Sequence, residues 1–448
     1  MNRRQFLQLG SLGALSLYGV RSAKGESARH GGPYFIALHA DGGIDQTLLC
    51  DAKSPSAQLQ QNLYRTPKRL SSGLLIAPVS LKNQGVTLDT VESFFDEVGG
   101  RFLCINGIDT QTNNHEVGVR HVWGGHSSST LPSIAALHAA SVQSKLRLPA
   151  TYLSMGGYDV TDGVIPLTRL AGGNVLVRSL HVGVVDPEAA PDDRKRFFSA
   201  QTESRLAAAR RARMERLSAQ PQPYRIGQSI RSFRDAREGS EGFSSLAKLL
   251  PARLVEVADA FPKLPKDYVD YDLRSYLQSI QLALLAFQSG QAASASIATY
   301  GFDTHSAHDD THPRWLGRLL LTIRYLMTQA EAMGIAKQLY VVVGTDFGRT
   351  PLYNAGGGKD HWNVGSMMIA GPGIMGGRSI GATDDALRPL SVNPDDPSVV
   401  LGYDDPRGTR IVPAHIQRAL RKRLGITGSP LDVAYPLLVE RRLDQLLG

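Results

Sequence analysis

Apolar runs of four to eight residues, rich in β-branched and aromatic side chains, recur along the chain and stop at glycine or polar turns: Pro33–Ala40, Arg101–Asn106, Thr151–Met155, Val175–Leu180, Ser294–Tyr300, Leu339–Val343 and Met367–Ala370. A strand that is apolar at every position, rather than at every second one, is buried on both faces, which is the signature of a mainly parallel sheet covered by helices. Helical periodicity fills several of the intervals, as in Leu131–Ala140 and Leu316–Met333. The pattern predicts an α/β fold, a three-layer α/β/α sandwich, with ligands bound at the carboxyl ends of the strands. The chemistry is therefore sought there.

One stretch departs from this rhythm. From residue 186 to 290 Ala, Arg, Gln, Glu and Ser dominate, in helical periods broken at Pro221–Pro223 and Pro262–Pro265. It reads as a helical insertion within an α/β/α domain of residues 29–448. The run Arg210-Arg211-Ala212-Arg213, flanked by Glu203 and Glu215, reads as a solvated helix face.

Of the net charge of +8, four positive charges fall in the first 25 residues at Arg3, Arg4, Arg21 and Lys24. The remainder is mildly basic, with no Arg/Lys stripe interleaved with aromatics, and no nucleic-acid partner is expected. The four cluster around an apolar stretch to Val20 that follows Asn2-Arg3-Arg4-Gln5-Phe6-Leu7, the pattern of a twin-arginine export signal. Residues 1–28 are accordingly expected to engage the twin-arginine translocase and to be removed, leaving a periplasmic or secreted protein. The stretch is too short to span a bilayer, so no stable membrane span is expected after cleavage. Two cysteines exclude a disulfide scaffold, and Cys104, inside an apolar run, reads as a buried free thiol.

Three strand ends carry the candidate chemistry. Directly after Ser294–Tyr300 comes Gly301-Phe302-Asp303-Thr304-His305-Ser306-Ala307-His308-Asp309-Asp310-Thr311-His312, a mixed imidazole and carboxylate cluster suited to a transition metal. Asp303 and His305 leave the strand first, while His308 and His312 share a face if a helix begins there. The plainer alternative is a polar loop capping that helix. The strand Leu339–Val343 ends in Gly344-Thr345-Asp346-Phe347-Gly348-Arg349-Thr350 and continues through Gly356-Gly357-Gly358 to Lys359-Asp360-His361. Asp346 and His361 can meet over one ion, and Arg349 can pair with an anionic substrate or a neighbouring carboxylate. Asp41 and Asp45 follow the first strand in Asp41-Gly42-Gly43-Ile44-Asp45, either as ligands or as a tight turn.

Together the twin-arginine start, the glycine-rich turn after strand one, Phe302–His305, Thr345–Thr350, Gly358–His361 and Gly376…Asp384 resemble the bacterial family called domain of unknown function 1501, over most of the mature chain except the insertion. That family is similar in turn to the alkaline phosphatase and sulfatase superfamily. The resemblance implies an alkaline phosphatase/sulfatase-like sandwich holding one or two divalent metals, Zn or Mn. Asp303, His305 or His308, and His361 would match the ligands of one, and Asp41 or Asp45 with Asp346 those of the other. Phe347 stands where the superfamily commonly has His, which removes a ligand from the second. The string Asn114-His115-Glu116-Val117-Gly118 resembles the nucleophile string of cofactor-independent phosphoglycerate mutases, with His115 in the serine position, as nucleophile or ligand. Ser127–Thr130 read as the cap of the following helix, and neither cysteine has the sulfatase Cys-x-Pro-x-Arg context. The expected function is an exported metal-dependent hydrolase acting on a small anionic phosphate or sulfate ester. The alternative is a non-catalytic periplasmic binding protein on a degenerate hydrolase scaffold.

Overall fold

The structure is a computed structural model that describes residues 29–146, 148–170, 185, 195–223, 226–227, 230, 251 and 253–448. The expected signal and the expected strand Val175–Leu180 lie outside them. Among the described residues eight strands form the central sheet: β1 (Tyr34–Ala40), β2 (Leu103–Asp109), β3 (Tyr152–Met155), β4 (Leu167–Arg169), β5 (Ser294–Thr299), β6 (Leu339–Thr345), β7 (Val364–Ala370) and β8 (Arg378–Ile380). They lie side by side in the order β8-β2-β7-β6-β1-β5-β3-β4. All run in one direction except β7, which is antiparallel to both β6 and β2. Nothing in the apolar run Met367–Ala370 marks that reversal, because a strand buried on both faces reads the same either way.

Side-chain alternation along β1 divides the core in two. Tyr34, Ile36, Leu38 and Ala40 pack in one cluster that holds apolar residues of Tyr271–Gln288 and His308–Ala332, while Phe35 and Ala37 pack in another with residues of His115–Gly124, Ile134–Leu146 and Pro413–Arg423. Among the described residues the helices of ten or more residues are, in chain order, α1 (His115–Gly124), α2 (Ile134–Leu146), α3 (Ala200–Ala219), α4 (Tyr271–Gln288), α5 (His308–Ala332) and α6 (Pro413–Arg423). The result is the three-layer α/β/α sandwich, with α4 and α5 on one face of the sheet and α1, α2 and α6 on the other. Within the stretch 186–290, α3 has no buried residue, whereas α4 contributes Leu273, Leu277, Ile280 and Leu284 to the core. Among the described residues no helix is long and apolar enough to cross a membrane.

Register brings the chemistry together. Ala40 is level with Thr345 of β6 on one side and with Thr299 of β5 on the other. The three chain segments that leave these positions begin with Asp41, Asp346 and the Tyr300–Asp303 turn, so the three carboxylates emerge at one edge. Gly42 makes the crossing there possible: its φ is +117°, and an added Cβ would lie 2.4 Å from the Asp303 nitrogen.

Cys50 and Cys104 are both free and buried. A hydrogen bond with Cys104, together with burial, pushes the Cys50 thiol well above its usual pKa. Folded protein is therefore expected to leave a thiol-specific reagent unreacted at pH 8, and two thiols per chain should appear on unfolding without reductant. Fewer than two would reveal an oxidised pair.

Candidate metal centre

Four side chains from three connections converge at the carboxyl edge. His361 Nε2 lies 3.1 Å from His115 Nε2, 3.0 Å from His305 Nε2 and 3.1 Å from Asp303 Oδ1. His305 Nε2 is also 3.0 Å from Asp303 Oδ1, and His115 Nε2 is 3.6 Å from Asp303 Oδ2. The far nitrogen of each ring decides what these contacts are. His115 Nδ1 meets Asp346 Oδ2 at 2.5 Å, His305 Nδ1 meets Asp360 Oδ1 at 2.7 Å, and His361 Nδ1 meets the Asn113 carbonyl at 2.8 Å. Carboxylate and carbonyl oxygens only accept, so all three Nδ1 atoms carry the ring proton and donate it. In the neutral rings the three Nε2 atoms are then lone pairs pointed at one another and at a carboxylate, an arrangement with no proton to hold it together. A cation satisfies it. Four of the donor separations, at 3.0–3.1 Å, lie near the ~3.3 Å between donors around a tetrahedral ion with ~2.0–2.1 Å bonds, the His115–Asp303 separation is 3.6 Å, and the compact three-donor set is His115, Asp303 and His361; the Nδ1–H bonds are of the kind that orient ligand histidines.

Local sequence explains each placement. Asn114 caps α1, its side chain accepting from the Val117 N–H at 3.1 Å, and so presents His115 in the first turn. Ser127–Thr130 lie elsewhere: Ser128 and Ser129 donate backbone N–H to His126 Nδ1, and the α2 cap is Ser133, which accepts from the Ala136 N–H at 3.1 Å. His361 comes from the return of a hairpin in which Gly348–Arg349 pair with His361–Trp362. The glycine turn before it closes on His305, and an added Cβ on Gly358 would fall 1.9 Å from the His305 carbonyl carbon. Gly358→Ala should therefore cost about 1–3 kcal/mol in a urea titration. It should also displace His305, whereas a variant of unchanged stability would show that the loop yields freely.

Of the two partners expected of it, Arg349 meets the neighbouring carboxylate. It is fully buried, donating Nε–H to Gly43 O at 3.0 Å, Nη1–H to Lys359 O at 3.0 Å, and Nη2–H to Gly42 O and to Asp303 Oδ1, the last at 2.7 Å. Its role is to pin Asp303 and the β1 turn. Burial works to raise the Asp303 pKa, but the Arg349 and His361 contacts outweigh it and hold the carboxyl low. Asp346 is likewise held far below the usual carboxylate range by His115 and His39 despite its burial. That Asp346 bond raises the His115 pKa against burial.

Asp45 and His308 belong to a different structure. Asp45 accepts from Lys359 Nζ at 2.8 Å and from the Thr47 N–H and Oγ1–H at 2.9 and 2.6 Å. His308 Nε2 is 3.1 Å from Asp45 Oδ2, and Thr304 Oγ1 joins His308 Nδ1 at 2.7 Å to His312 Nδ1 at 3.1 Å. The Asp45 backbone N–H closes the ring on His312 Nε2 at 2.9 Å. Every member is buried and partnered, so this network ties the start of α5 and the 354–361 loop to β1 and offers no donor to an ion.

Asp41 and Asp346 form a second group with His39, whose Nε2 is 3.5 Å from Asp41 Oδ1 and 3.1 Å from Asp346 Oδ1. His39 is missed by a search for polar clusters because it sits inside an apolar run. Its spacing of two from Asp41, which places both on one face of an extended chain, was the available signal. Asp360, the partner of His305, shows in the sequence only as the neighbour of His361. The Phe347 ring packs against those of His115 and His361 at 4.8 and 4.6 Å.

Fold and site thus define an α/β sandwich with a histidine-rich candidate metal centre at the carboxyl edge of its sheet. Residues 34–394 match the family described as "Protein of unknown function (DUF1501)", and the chain belongs to that family. No curated protein matches it. Among solved structures the chain is similar to Ps i-CgsB in complex with k-i-k-neocarrahexaose, at 10% identity over 92% of this chain and 75% of that one, with a TM-score of 0.37. It is also similar to BT1596, a 2-O GAG sulfatase, at 9% identity over 89% and 72%, with a TM-score of 0.32. A third is alkaline phosphatase from the Antarctic bacterium TAB5, at 10% identity over 77% and 93%, with a TM-score of 0.30.

Proposed function

We propose that this chain is an exported, metal-dependent hydrolase of phosphate or sulfate esters, with one ion held by His115, Asp303, His305 and His361. The observation that carries the reading is that His361 Nε2 lies 3.0–3.1 Å from His115 Nε2, His305 Nε2 and Asp303 Oδ1, while the Nδ1 of each ring faces an oxygen acceptor. Three imidazoles to one carboxylate suit Zn better than Mn. When bound, such an ion supplies Lewis-acid polarisation of an ester oxygen. The side chains of His305 and Asp303 remain 46% and 47% exposed, so one side of the ligand set stays open to a substrate.

The chain's own groups set the rest. Asp346, Asp360 and the Asn113 carbonyl keep the three rings aimed. With both nitrogens engaged, His115 is a ligand in this reading, not a nucleophile. Two hydroxyls near the centre are engaged: Thr304 in the buried network, and Thr345, which donates to Ala40 O at 2.7 Å while accepting from Gly43 and Ile44 N–H. Water is therefore the attacking group in this proposal. The engagement of Arg349 favours the second reading, a metal-holding protein without turnover, because that cation is not free to hold an anionic ester. Elemental analysis of exported protein, followed by p-nitrophenyl phosphate, bis-p-nitrophenyl phosphate and p-nitrophenyl sulfate assays, tests both. One Zn per chain and chelator-sensitive hydrolysis restored by Zn are expected. Metal without hydrolysis of any of the three would leave the binding reading, and protein without metal would remove both.

A further inference from the structure

At the far end of α1 from His115, about 9 Å along the helix axis, His121 lines a cavity. Its volume of about 1060 Å³ is near the upper end of the ~300–1,000 Å³ of small-molecule sites, and its walls come from the end of β2, the end of α1 and the segments 403–415 and 438–441. The His121 Nδ1–H donates to the Thr110 carbonyl at 2.9 Å, which leaves Nε2 as a lone pair. His121 is 4% exposed, and this Nε2 is unpartnered yet not closed off, so the lone pair opens on the cavity. Burial holds the ring's pKa below its usual value and keeps it an acceptor. Asp109 spends Oδ1 on the Gln111 N–H and on Asn363 Nδ2–H, both at 2.9 Å, and its Oδ2 has no partner among the described residues. His126 is the opposite case: Nδ1 accepts from the Ser128 and Ser129 N–H groups at 3.2 and 3.0 Å, so Nε2 carries the proton. The hydroxyls of Ser127 and Tyr403, on the same walls, have no partner among the described residues.

The charged groups here are largely spent on their own neighbours. Arg410 pairs with Asp404, Asp405 pairs with Arg407, and Arg441 gives Nη1–H to the carbonyls of Arg407 and Gly408 at 3.1 and 3.3 Å. An anionic ligand would meet Asp109 and Glu440, which have no cationic partner among the described residues. The guanidinium carbons of Arg388 and Arg410 each lie 4.5 Å from the centroid of the Tyr403 ring and hold its hydroxyl in place. Leu438, 77% exposed, adds an apolar surface at the rim. We propose that this cavity binds a neutral carbohydrate. A sugar carries hydroxyls at short intervals, each both donor and acceptor, around a ring whose C–H face is apolar. Its hydroxyls donate to His121 Nε2 and Asp109 Oδ2 and accept from His126 Nε2–H, while the C–H face meets Leu438. A ligand whose only polar groups are ammonium ions donates without accepting and leaves the His126 N–H unmet. The inference rests on no bound ion and is independent of the hydrolase reading.

The test applies the full chain, fluorescently labelled, to a printed array of neutral, amino-substituted, sulfated and carboxylated glycans, and then titrates the best-bound neutral glycan by calorimetry with and without EDTA. Binding to neutral glycans, unaffected by EDTA, is expected. Ser127→Trp puts bulk into the cavity and should abolish it. His121→Asn keeps an N–H for the Thr110 carbonyl and removes the Nε2 lone pair, and Tyr403→Phe keeps the ring against its arginines and removes the hydroxyl. Each of these two should weaken binding about 3- to 10-fold, the share of one hydrogen bond. They decide the matter should Ser127→Trp not fold. An array without a bound neutral glycan, a preference for amino-substituted, sulfated or carboxylated glycans, or unchanged affinity in both His121→Asn and Tyr403→Phe would overturn the proposal. Binding lost in EDTA would assign the sugar to the metal centre and overturn it too. Protein without metal would end the hydrolase reading alone, since the titration in EDTA is read without an ion.

Discussion

His361→Ala should weaken metal binding by about 100- to 1000-fold, the loss expected if four ligands share the ~10–16 kcal/mol typical of a structural zinc site. His361 is the choice because its Nε2 touches the other three donors, at 3.1 Å from His115, 3.0 Å from His305 and 3.1 Å from Asp303. Competition against a chelator of known affinity measures the change. Asp360→Asn keeps the shape of the His305 partner but removes its charge, and should cost about 10- to 100-fold, as for other outer-shell groups. An affinity in His361→Ala equal to that of the unaltered protein would mean that any bound ion sits elsewhere.

Lys359→Met should destabilise the fold by about 3–5 kcal/mol, the usual cost of leaving one member of a buried ion pair without its counter-charge. Lys359 and Asp45 are both fully buried, 2.8 Å apart. Adding Asp45→Asn should recover part of the loss, because the stranded charge is then gone. The pair also shapes the acid limb of the stability curve. Burial raises the Asp45 pKa, but Lys359 and His308 outweigh it and hold the carboxyl well below the usual range. A carboxyl depressed in the folded state contributes fully above its unfolded pKa of about 4 and loses that contribution as pH falls through the folded value. Urea midpoints should therefore fall below about pH 4 in the unaltered protein, and this part of the decline should be absent in the double variant. Parallel acid limbs would assign the effect to other carboxylates.

What the sequence discloses and what it hides separate along physical lines. Asp303, His305, Asp346 and His361 are visible because each follows an apolar run or a glycine loop, where a polar side chain has no structural reason to cluster. His115 is visible only through a motif. Asp45 and His308 share the composition of ligands, yet tertiary packing gives them Lys359, Thr47 and Thr304 as partners, and no local pattern distinguishes a buried, satisfied carboxylate from an open one. Arg349 misleads in the same way, since three of the groups it serves are backbone carbonyls. The Asn113 carbonyl that orients His361 has no side-chain signature at all. The sandwich itself is legible in the double-sided burial of β1, β5 and β6, whereas the reversed β7 is a matter of connection and not of composition.

The donors of the centre lie far apart along the chain: His305 and His361 are 56 residues apart, and His115 and His361 are 246 apart. No segment shorter than residues 115–361 contains the set. The proposed set is complete only when β1, β5 and β6 are in register and α1 is docked. An ion held as proposed would therefore tie together connections from distant parts of the chain, as a cross-link does.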